Sequence, residues 1–121
     1  MSIRVVIADD APFIREVLTA LLVADGIEVV GEAKDGNEVL PVVNSTNPDV
    51  ILMDIVMPHK SGIEATIEVL EHHPDVKVIA CSTLDQNTMV NKAIEAGCVD
   101  YVVKPFEKEK IISAIRTATG G

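Results

Sequence analysis

Two short apolar runs rich in β-branched residues constrain the fold of this chain more than any other feature. They cover residues 3–8 and 50–53, and acidic side chains follow both, Asp9 and Asp10 after the first run and Asp54 after the second. A continuous apolar run of this length is typical of a strand buried on both faces, as in parallel sheets. Ligands of such sheets bind at the carboxyl ends of the strands. The sequence therefore predicts a parallel sheet that carries three carboxylates at its ligand-binding edge.

Strand-like runs alternate with helical patterns along the whole chain. The first helix places apolar residues at positions 14, 17, 18, 21 and 22, with Pro12 in its first turn and Gly26 at its end. This alternation predicts an α/β fold in three layers, a doubly wound five-stranded parallel sheet with helices on both faces. The second strand, which is shorter and more alternating, is predicted at an edge. The predicted strands are 3–8, 27–32, 49–53, 77–81 and 101–103, and the later helices are 36–46, 63–73, 86–96 and 107–118.

Length and composition narrow the class of protein. The 121 residues are expected to form one domain, 1–121, because there is no linker, repeat or low-complexity segment. No apolar run approaches the roughly 20 residues of a membrane-spanning helix. Because the N-terminus enters a strand directly, we expect no signal peptide. Cys81 and Cys98 lie in apolar segments without metal-ligand spacing, which favours reduced, buried thiols in a cytoplasmic protein. The net charge of −9 argues against binding of nucleic acid.

Polar side chains at four strand ends predict a single site. If the strand order reverses beside the first strand, the carboxyl ends of strands one, three, four and five meet there. Three carboxylates in one place repel each other unless a hard cation lies between them, and Mg²⁺ is expected because it takes oxygen ligands and keeps several waters. A carboxylate nucleophile, a cation, an ammonium and a hydroxyl together are suited to phosphoryl transfer. The residues expected at this site are Asp9, Asp10, Asp54, Ser82 and Lys104.

Over essentially its whole length, the chain resembles the receiver domains of two-component response regulators. The resemblance rests on four motifs in the family's order: the pair Asp9-Asp10, the segment Leu-Met-Asp-Ile-Val-Met-Pro at 52–58, the pair Ser82-Thr83, and Tyr-Val-Val-Lys-Pro-Phe at 101–106. It implies a flavodoxin-like strand order of 2-1-3-4-5. It also implies that a phosphohistidine on a partner histidine kinase donates the phosphoryl group.

The resemblance further implies a role for each matching position. Asp54 corresponds to the phospho-acceptor, and Lys104 to the lysine that pairs with the acyl phosphate. Asp10 corresponds to a direct Mg²⁺ ligand and Asp9 to an acid that acts from the second shell or through water. The remaining matches are the main-chain carbonyl of Val56 (metal ligand), Ser82 (switch hydroxyl), Tyr101 (aromatic rotamer switch) and Thr83 (where the family usually has a small residue).

Several of these residues could instead have purely structural roles. Asp9 or Asp10 could cap the first helix, alone or in addition to a role at the site. Either Ser82 or Thr83 could cap the fourth helix. Tyr101 could be an aromatic residue that only packs on an edge strand.

Two departures from the family pattern lead to functional expectations. Val56 and Leu84 are apolar where water would approach the phosphoryl group, which predicts slow self-dephosphorylation and dependence on a separate phosphatase or a slow output. Pro41 is expected to leave the second helix bent, late or frayed. The output surface is therefore expected on the fourth helix, fifth strand and fifth helix, where an amphipathic partner segment would dock. Three residues are expected to be partly exposed there: Val90, Ile94 and Tyr101.

These observations favour a stand-alone, chemotaxis-like signalling switch, since no effector domain is expected after residue 118. A receiver excised from a longer regulator, or an intermediate of a phosphorelay, would carry the same residues. A different class is a Mg²⁺-dependent aspartyl-phosphate hydrolase of the haloacid dehalogenase type, but that chemistry needs a second acid where Val56 stands. A flavodoxin-like cofactor carrier is disfavoured, because no phosphate loop rich in Thr, Ser and Gly follows the first strand.

Overall fold

Five strands and five helices alternate along the chain, in a computed structural model that describes residues 2–83 and 87–120. All strand pairs are parallel, and the strand order is β2-β1-β3-β4-β5. The predicted doubly wound fold and its strand order are therefore confirmed, as is the edge position of the second strand. The elements are β1 (Arg4–Ala8), α1 (Pro12–Ala24), β2 (Glu28–Ala33), α2 (Gly36–Thr46), β3 (Val50–Asp54), α3 (Gly62–His72), β4 (Lys77–Ser82), α4 (Asn87–Ala96), β5 (Asp100–Val103) and α5 (Lys108–Ala118).

The central strands are buried on both faces, which explains their unbroken apolar sequence. Alternate residues of β1 and β3 enter two separate cores, one on each side of the sheet. Val6 and Ile51 belong to one core, and Val5 and Leu52 belong to the other. Every residue of β3, including Asp54, is buried. The sheet therefore holds the β3 end in a fixed position.

The first helix begins without a side-chain cap. Ala11 occupies the N-cap position, and Pro12 is the first helical residue, as predicted. The Asp9 carboxylate accepts a hydrogen bond from the Ala11 amide at 2.9 Å, which lies in the loop before the helix. The expectation that Asp9 or Asp10 also caps this helix is therefore wrong. The physical reason is that the N-cap position falls on Ala11, whose side chain has no acceptor, while the Asp9 carboxylate is occupied by the Ala11 amide and by Lys104.

The second helix runs through Pro41 from Gly36 to Thr46, so the expectation of a late or frayed element is wrong. Proline removes one hydrogen bond inside a helix. Two features offset that loss. The Asp35 side chain accepts hydrogen bonds from the first amides of the helix, and Val39 and Val43 are fully buried beneath it.

Two strands extend to the functional residues themselves. Asp54 is the last residue of β3 and pairs with Cys81, while Ser82 is the last residue of β4 and pairs with Val103. Both side chains therefore stand on hydrogen-bonded strands rather than in loops. Leu84 lies outside the described residues. Among the described helices, none has the length and apolar character needed to cross a membrane.

Candidate functional site

The acidic side chains and the lysine predicted at the strand ends come together in the structure. Asp9, Asp10 and Asp54 each offer a carboxylate oxygen, and these oxygens lie within 4.8 Å of one another. The ammonium of Lys104 lies 2.9 Å from Asp9 Oδ2 and 3.4 Å from Asp54 Oδ2. Ser82 ends the neighbouring strand, one residue beyond the register partner of Asp54. The convergence expected from the sequence is thus confirmed for the three carboxylates and the lysine.

Asp54 lies almost entirely out of solvent, with 5% of its surface exposed. Burial raises the pKa of its carboxyl from the ordinary 3.8 to about 6; the charge of Lys104 opposes this rise, and the charge of Asp9 adds to it. A backbone hydrogen bond from Val56 also favours the ionised form. At neutral pH the carboxylate is therefore ionised but more basic than an exposed aspartate, which suits a nucleophile.

The two neighbouring acids are held in different ways. Asp9 is buried, and both of its oxygens are engaged: Oδ1 accepts from the Ala11 amide and Oδ2 from Lys104, each at 2.9 Å. Asp10 is exposed, and within the described residues no hydrogen bond holds its carboxylate. Asp10 thus has oxygens available for a ligand, whereas those of Asp9 are already used. This difference agrees with the predicted direct role for Asp10 and indirect role for Asp9, which stay predictions.

Lys104 follows β5 and is joined to the sheet by its own backbone. Its amide donates a hydrogen bond of 2.7 Å to the Ser82 carbonyl, and the peptide bond to Pro105 is cis. Burial alone would lower the pKa of this lysine, but Asp9 and Asp54 outweigh it, so the pKa is raised above its usual value. Lys104 is therefore cationic at neutral pH, and its contacts with Asp9 and Asp54 confirm that a lysine at this strand end pairs with anionic groups.

The charge balance of the site fits a hard cation. Three carboxylates face one ammonium, so the cluster keeps an excess of negative charge when all groups are ionised. Carboxylate oxygens are the ligands Mg²⁺ prefers, and the exposed position of Asp10 leaves room for the waters it retains. The donor set therefore fits Mg²⁺.

Ser82 carries a hydroxyl without a hydrogen-bond partner among the described residues, although the residue is only 1% exposed. A buried unpaired hydroxyl costs roughly 1–3 kcal/mol, so its presence at a strand end calls for a functional explanation. Because this hydroxyl accepts no hydrogen bond from an amide of the described chain, Ser82 does not act as a side-chain cap of the fourth helix. Whether Thr83 has a role there stays a prediction.

Glycines that the sequence analysis did not single out shape the loop after Asp54. A Cβ atom at Gly62 would lie 2.0 Å from the Asp54 carbonyl oxygen, and one at Gly36 would lie 1.9 Å from the Lys60 carbonyl oxygen. The Gly62 amide also donates to the Ile55 carbonyl at 2.8 Å. Only glycine permits these approaches. In the sequence, the signal for such a close approach is a glycine at the first position of a helix, directly after the capping residue Ser61.

The residues predicted for the output surface lie on α4 and β5. Tyr101 is 47% exposed and Ile94 is 44% exposed, while Val90 is partly buried against the core. Their partial exposure agrees with the expectation, and a switching role for Tyr101 stays a prediction. Val56, in the loop after Asp54, is 46% exposed beside the site.

Comparison with known proteins gives consistent results. The family described as "Response regulator receiver domain" matches residues 5–116. The chain is 41% identical to the chemotaxis protein CheY of Thermotoga maritima, over 95% of this chain and 96% of that protein. It is also 41% identical to the uncharacterized transcriptional regulatory protein YxjL of Bacillus subtilis, over 99% of this chain but 56% of that protein. The solved response regulator domain of Thermotoga maritima CheB superimposes with a TM-score of 0.91 at 33% identity, covering 100% of this chain and 98% of that one.

Proposed function

The chain belongs to the family of response regulator receiver domains, and we propose that it is a phosphorylation-activated switch whose phosphoryl acceptor is Asp54. Receiver domains are signalling proteins rather than enzymes that turn over a separate substrate. The observation that carries the proposal is the buried Asp54 carboxylate, which lies within reach of Lys104 and of two further acids at one edge of the sheet.

The proposed reaction is transfer from a phosphohistidine of a histidine kinase. A carboxylate oxygen of Asp54 attacks phosphorus, a P–O bond forms, and the P–N bond to the imidazole breaks. The imidazole leaves with a proton taken from solvent. The pKa of about 6, raised chiefly by burial, supports this role because the ionised carboxylate at neutral pH is a stronger base than an exposed one.

Two side chains of the site are suited to the phosphoryl oxygens. Lys104 carries its positive charge 3.4 Å from Asp54 Oδ2, where it neutralises charge on the transferred group. The Ser82 hydroxyl has no partner within the described chain and would donate to a phosphoryl oxygen. Phosphorylation would thus satisfy a buried hydroxyl, and the movement of Ser82 toward the phosphoryl group would bias the switch.

Mg²⁺ is the proposed cofactor. Asp10, Asp54 and the main-chain carbonyl of Val56 would hold it directly, with Asp9 acting through water. The ion would neutralise the phosphoryl oxygens during transfer. The engagement of both Asp9 oxygens by Ala11 and Lys104 supports the indirect role assigned to that residue.

Output is proposed to pass through protein contacts on α4, β5 and α5. Three partly exposed residues, Val90, Ile94 and Tyr101, would meet an amphipathic segment of the target there. Tyr101 would change rotamer as Ser82 moves.

A separate phosphatase is proposed to reset the switch, because apolar Val56 cannot orient water toward the acyl phosphate. No role in nucleic-acid or membrane binding is proposed, and a cytoplasmic location stays a prediction.

Chemotaxis is the proposed pathway, because a relative of matching length is a chemotaxis protein. The equal identity to a longer transcriptional regulator supports the alternative, in which the chain is the receiver of a larger protein or a relay intermediate. Binding of the phosphorylated chain to a flagellar-motor peptide would favour the first. Preferential transfer of its phosphoryl group to a second histidine would favour the relay.

The chemistry can be tested with phosphoramidate, a small donor that contains the same P–N bond. The chain is incubated with phosphoramidate and Mg²⁺ and then reduced with borohydride, which converts an aspartyl phosphate to homoserine. Peptide mapping should find homoserine at position 54 and nowhere else. A modification at Asp9 or Asp10, or an adduct resistant to hydroxylamine, would contradict the proposed acceptor.

A further inference from the structure

Arg15, on the first turn of α1, contacts the backbone of the acidic pair although the sequence assigns it no role. Its Nη1 donates a hydrogen bond of 2.7 Å to the main-chain carbonyl of Asp9. Its Nε donates to Glu32 Oε1 at 2.8 Å, at the carboxyl end of the edge strand β2. Only 17% of the arginine side chain is exposed. The guanidinium therefore bridges α1, the end of β1 and the end of β2.

The carbonyl that Arg15 contacts belongs to the peptide group between Asp9 and Asp10. That group is planar, so fixing its oxygen also fixes the position of the Asp10 nitrogen and limits the direction of the Asp10 side chain. Asp9 is secured independently, because its amide donates to the Ala33 carbonyl at 3.0 Å and its carboxylate is engaged on both oxygens. Asp10 has no such support within the described chain. Through the Asp9 carbonyl, Arg15 holds the peptide group from which the Asp10 residue departs.

We propose that Arg15 is a positioning residue for the acidic site: bridging the Asp9 carbonyl and Glu32, it orients the Asp10 carboxylate toward the cation. The inference rests on the proposed function, because it concerns the same cation site. It also assigns a role to Glu32, which anchors the far side of the guanidinium. A planar fork can hold two acceptors at fixed directions, whereas a lysine ammonium cannot reproduce that geometry.

A merely electrostatic role would have different consequences. If Arg15 acted only through its positive charge near three carboxylates, lysine would replace it fully. If it acted only as a structural tie between α1 and β2, its loss would lower the melting temperature without altering cation affinity at equal folded fraction. The chain offers a matched control, since Arg116 similarly contacts the Asp25 carboxylate at 2.8 Å and the Asp25 carbonyl at 3.3 Å. That pair lies at the other end of α1, about 15 Å from Arg15 along the helix axis.

The test compares Arg15→Gln, Arg15→Lys, Glu32→Ala and Arg116→Gln with the unaltered chain. MgCl₂ is titrated into each protein, and binding is followed by the backbone amide shifts of Asp10 and Ala11. Both Arg15 variants should bind Mg²⁺ roughly 10-fold more weakly, as for other residues that orient metal ligands. Glu32→Ala should have a smaller effect in the same direction, and Arg116→Gln should have none. Full affinity in Arg15→Lys, or in Arg15→Gln, would overturn the proposal.

A metal-free measurement separates this proposal from the function on which it rests. In EDTA, the amide order parameters of Asp10 and Ala11 should fall in both Arg15 variants and remain unchanged in Arg116→Gln. If the unaltered chain bound no Mg²⁺, the proposed function would fail, while loss of order at Asp10 would still support positioning by Arg15. Unchanged order parameters in both Arg15 variants would overturn the positioning role whatever the cation affinity.

Discussion

Lys104 forms an ion pair with Asp9 across the carboxyl edge of the sheet, with Nζ 2.9 Å from Oδ2, although the two residues are 95 positions apart in sequence. In the sheet, β3 and β4 lie between β1 and β5, so the ion pair spans the carboxyl ends of both intervening strands. The strand between them that carries Asp54 therefore has one ammonium and one carboxylate facing its end. This arrangement makes the site polar and leaves it an excess of negative charge.

Replacing Lys104 with Met should destabilise the protein at neutral pH. The change leaves Asp9 and Asp54 buried without their cation, which should lower the free energy of unfolding by about 1–3 kcal/mol. Urea denaturation in EDTA measures this directly. Lys110→Met is the matched control, because Lys110 is exposed in its pair with Glu107 and should change stability little. Equal effects of the two substitutions would contradict the account.

Asp54→Asn should stabilise the metal-free protein at neutral pH. The pKa of Asp54 is about 6 in the folded state, raised chiefly by burial from the ordinary 3.8, so the folded state binds the proton more tightly than the unfolded state. Stability from this residue is therefore present below about pH 4 and lost as pH rises through about 6. The variant should gain about 1–3 kcal/mol at neutral pH and nothing near pH 4.

The comparison is made by urea denaturation in EDTA at several pH values. Added Mg²⁺ provides the control, since it should raise the free energy of unfolding of the unaltered chain more than that of Asp54→Asn. A stability difference that is constant with pH would mean that Asp54 titrates normally, and the proposed burial effect would be excluded.

The double variant Val56→Asn, Leu84→Glu should lose its phosphoryl group roughly 10-fold faster than the unaltered chain. Polar groups at these positions would orient water for in-line attack, which an apolar wall cannot do. Val56 is 46% exposed beside the site, whereas the position of Leu84 is inferred from sequence. The protein is phosphorylated, the donor is removed, and intact mass is followed in time. The control is Val99→Asn, a change at a similarly exposed valine (50%) away from the acidic cluster. Equal phosphoryl lifetimes in the unaltered chain, the double variant and Val99→Asn would contradict the prediction.

Phosphorylation should change amide hydrogen exchange on α4, β5 and α5. Movement of Ser82 toward the phosphoryl group would alter the ends of β4 and β5, which are joined by the bond between the Lys104 amide and the Ser82 carbonyl. Exchange is compared with and without acetyl phosphate and Mg²⁺, with Asp54→Asn treated in the same way. A response confined to α2 would place the output elsewhere.

The sequence was sufficient to predict the sheet because burial on both faces imposes an unbroken apolar pattern. Val5, Val6, Ile51 and Leu52 could be assigned to strands without knowledge of their contacts. The strand order and the residue roles depended on the resemblance to receiver domains, since neither follows from periodicity. The apolar pattern predicts strands that end just before Asp54 and Ser82, whereas the parallel ladder extends to include both.

Predictions that depended on local competition between contacts were less successful. Pro41 alone indicated a disturbed helix, but the cap at Asp35 and the burial of Val39 and Val43 maintain it. The role inferred for Arg15 could not be predicted from the sequence, because its partners are the Asp9 carbonyl, six positions earlier, and the Glu32 carboxylate on β2. Such contacts exist only once the chain has folded.

The most direct test of the central claim is intact mass after incubation with acetyl phosphate and Mg²⁺, measured beside Asp54→Asn. One added phosphoryl group is expected on the unaltered chain, and none in EDTA or on the variant. A phosphoryl group that appears on Asp54→Asn, or that forms equally well without Mg²⁺, would contradict the assignment of Asp54 as the acceptor in a cation-dependent site.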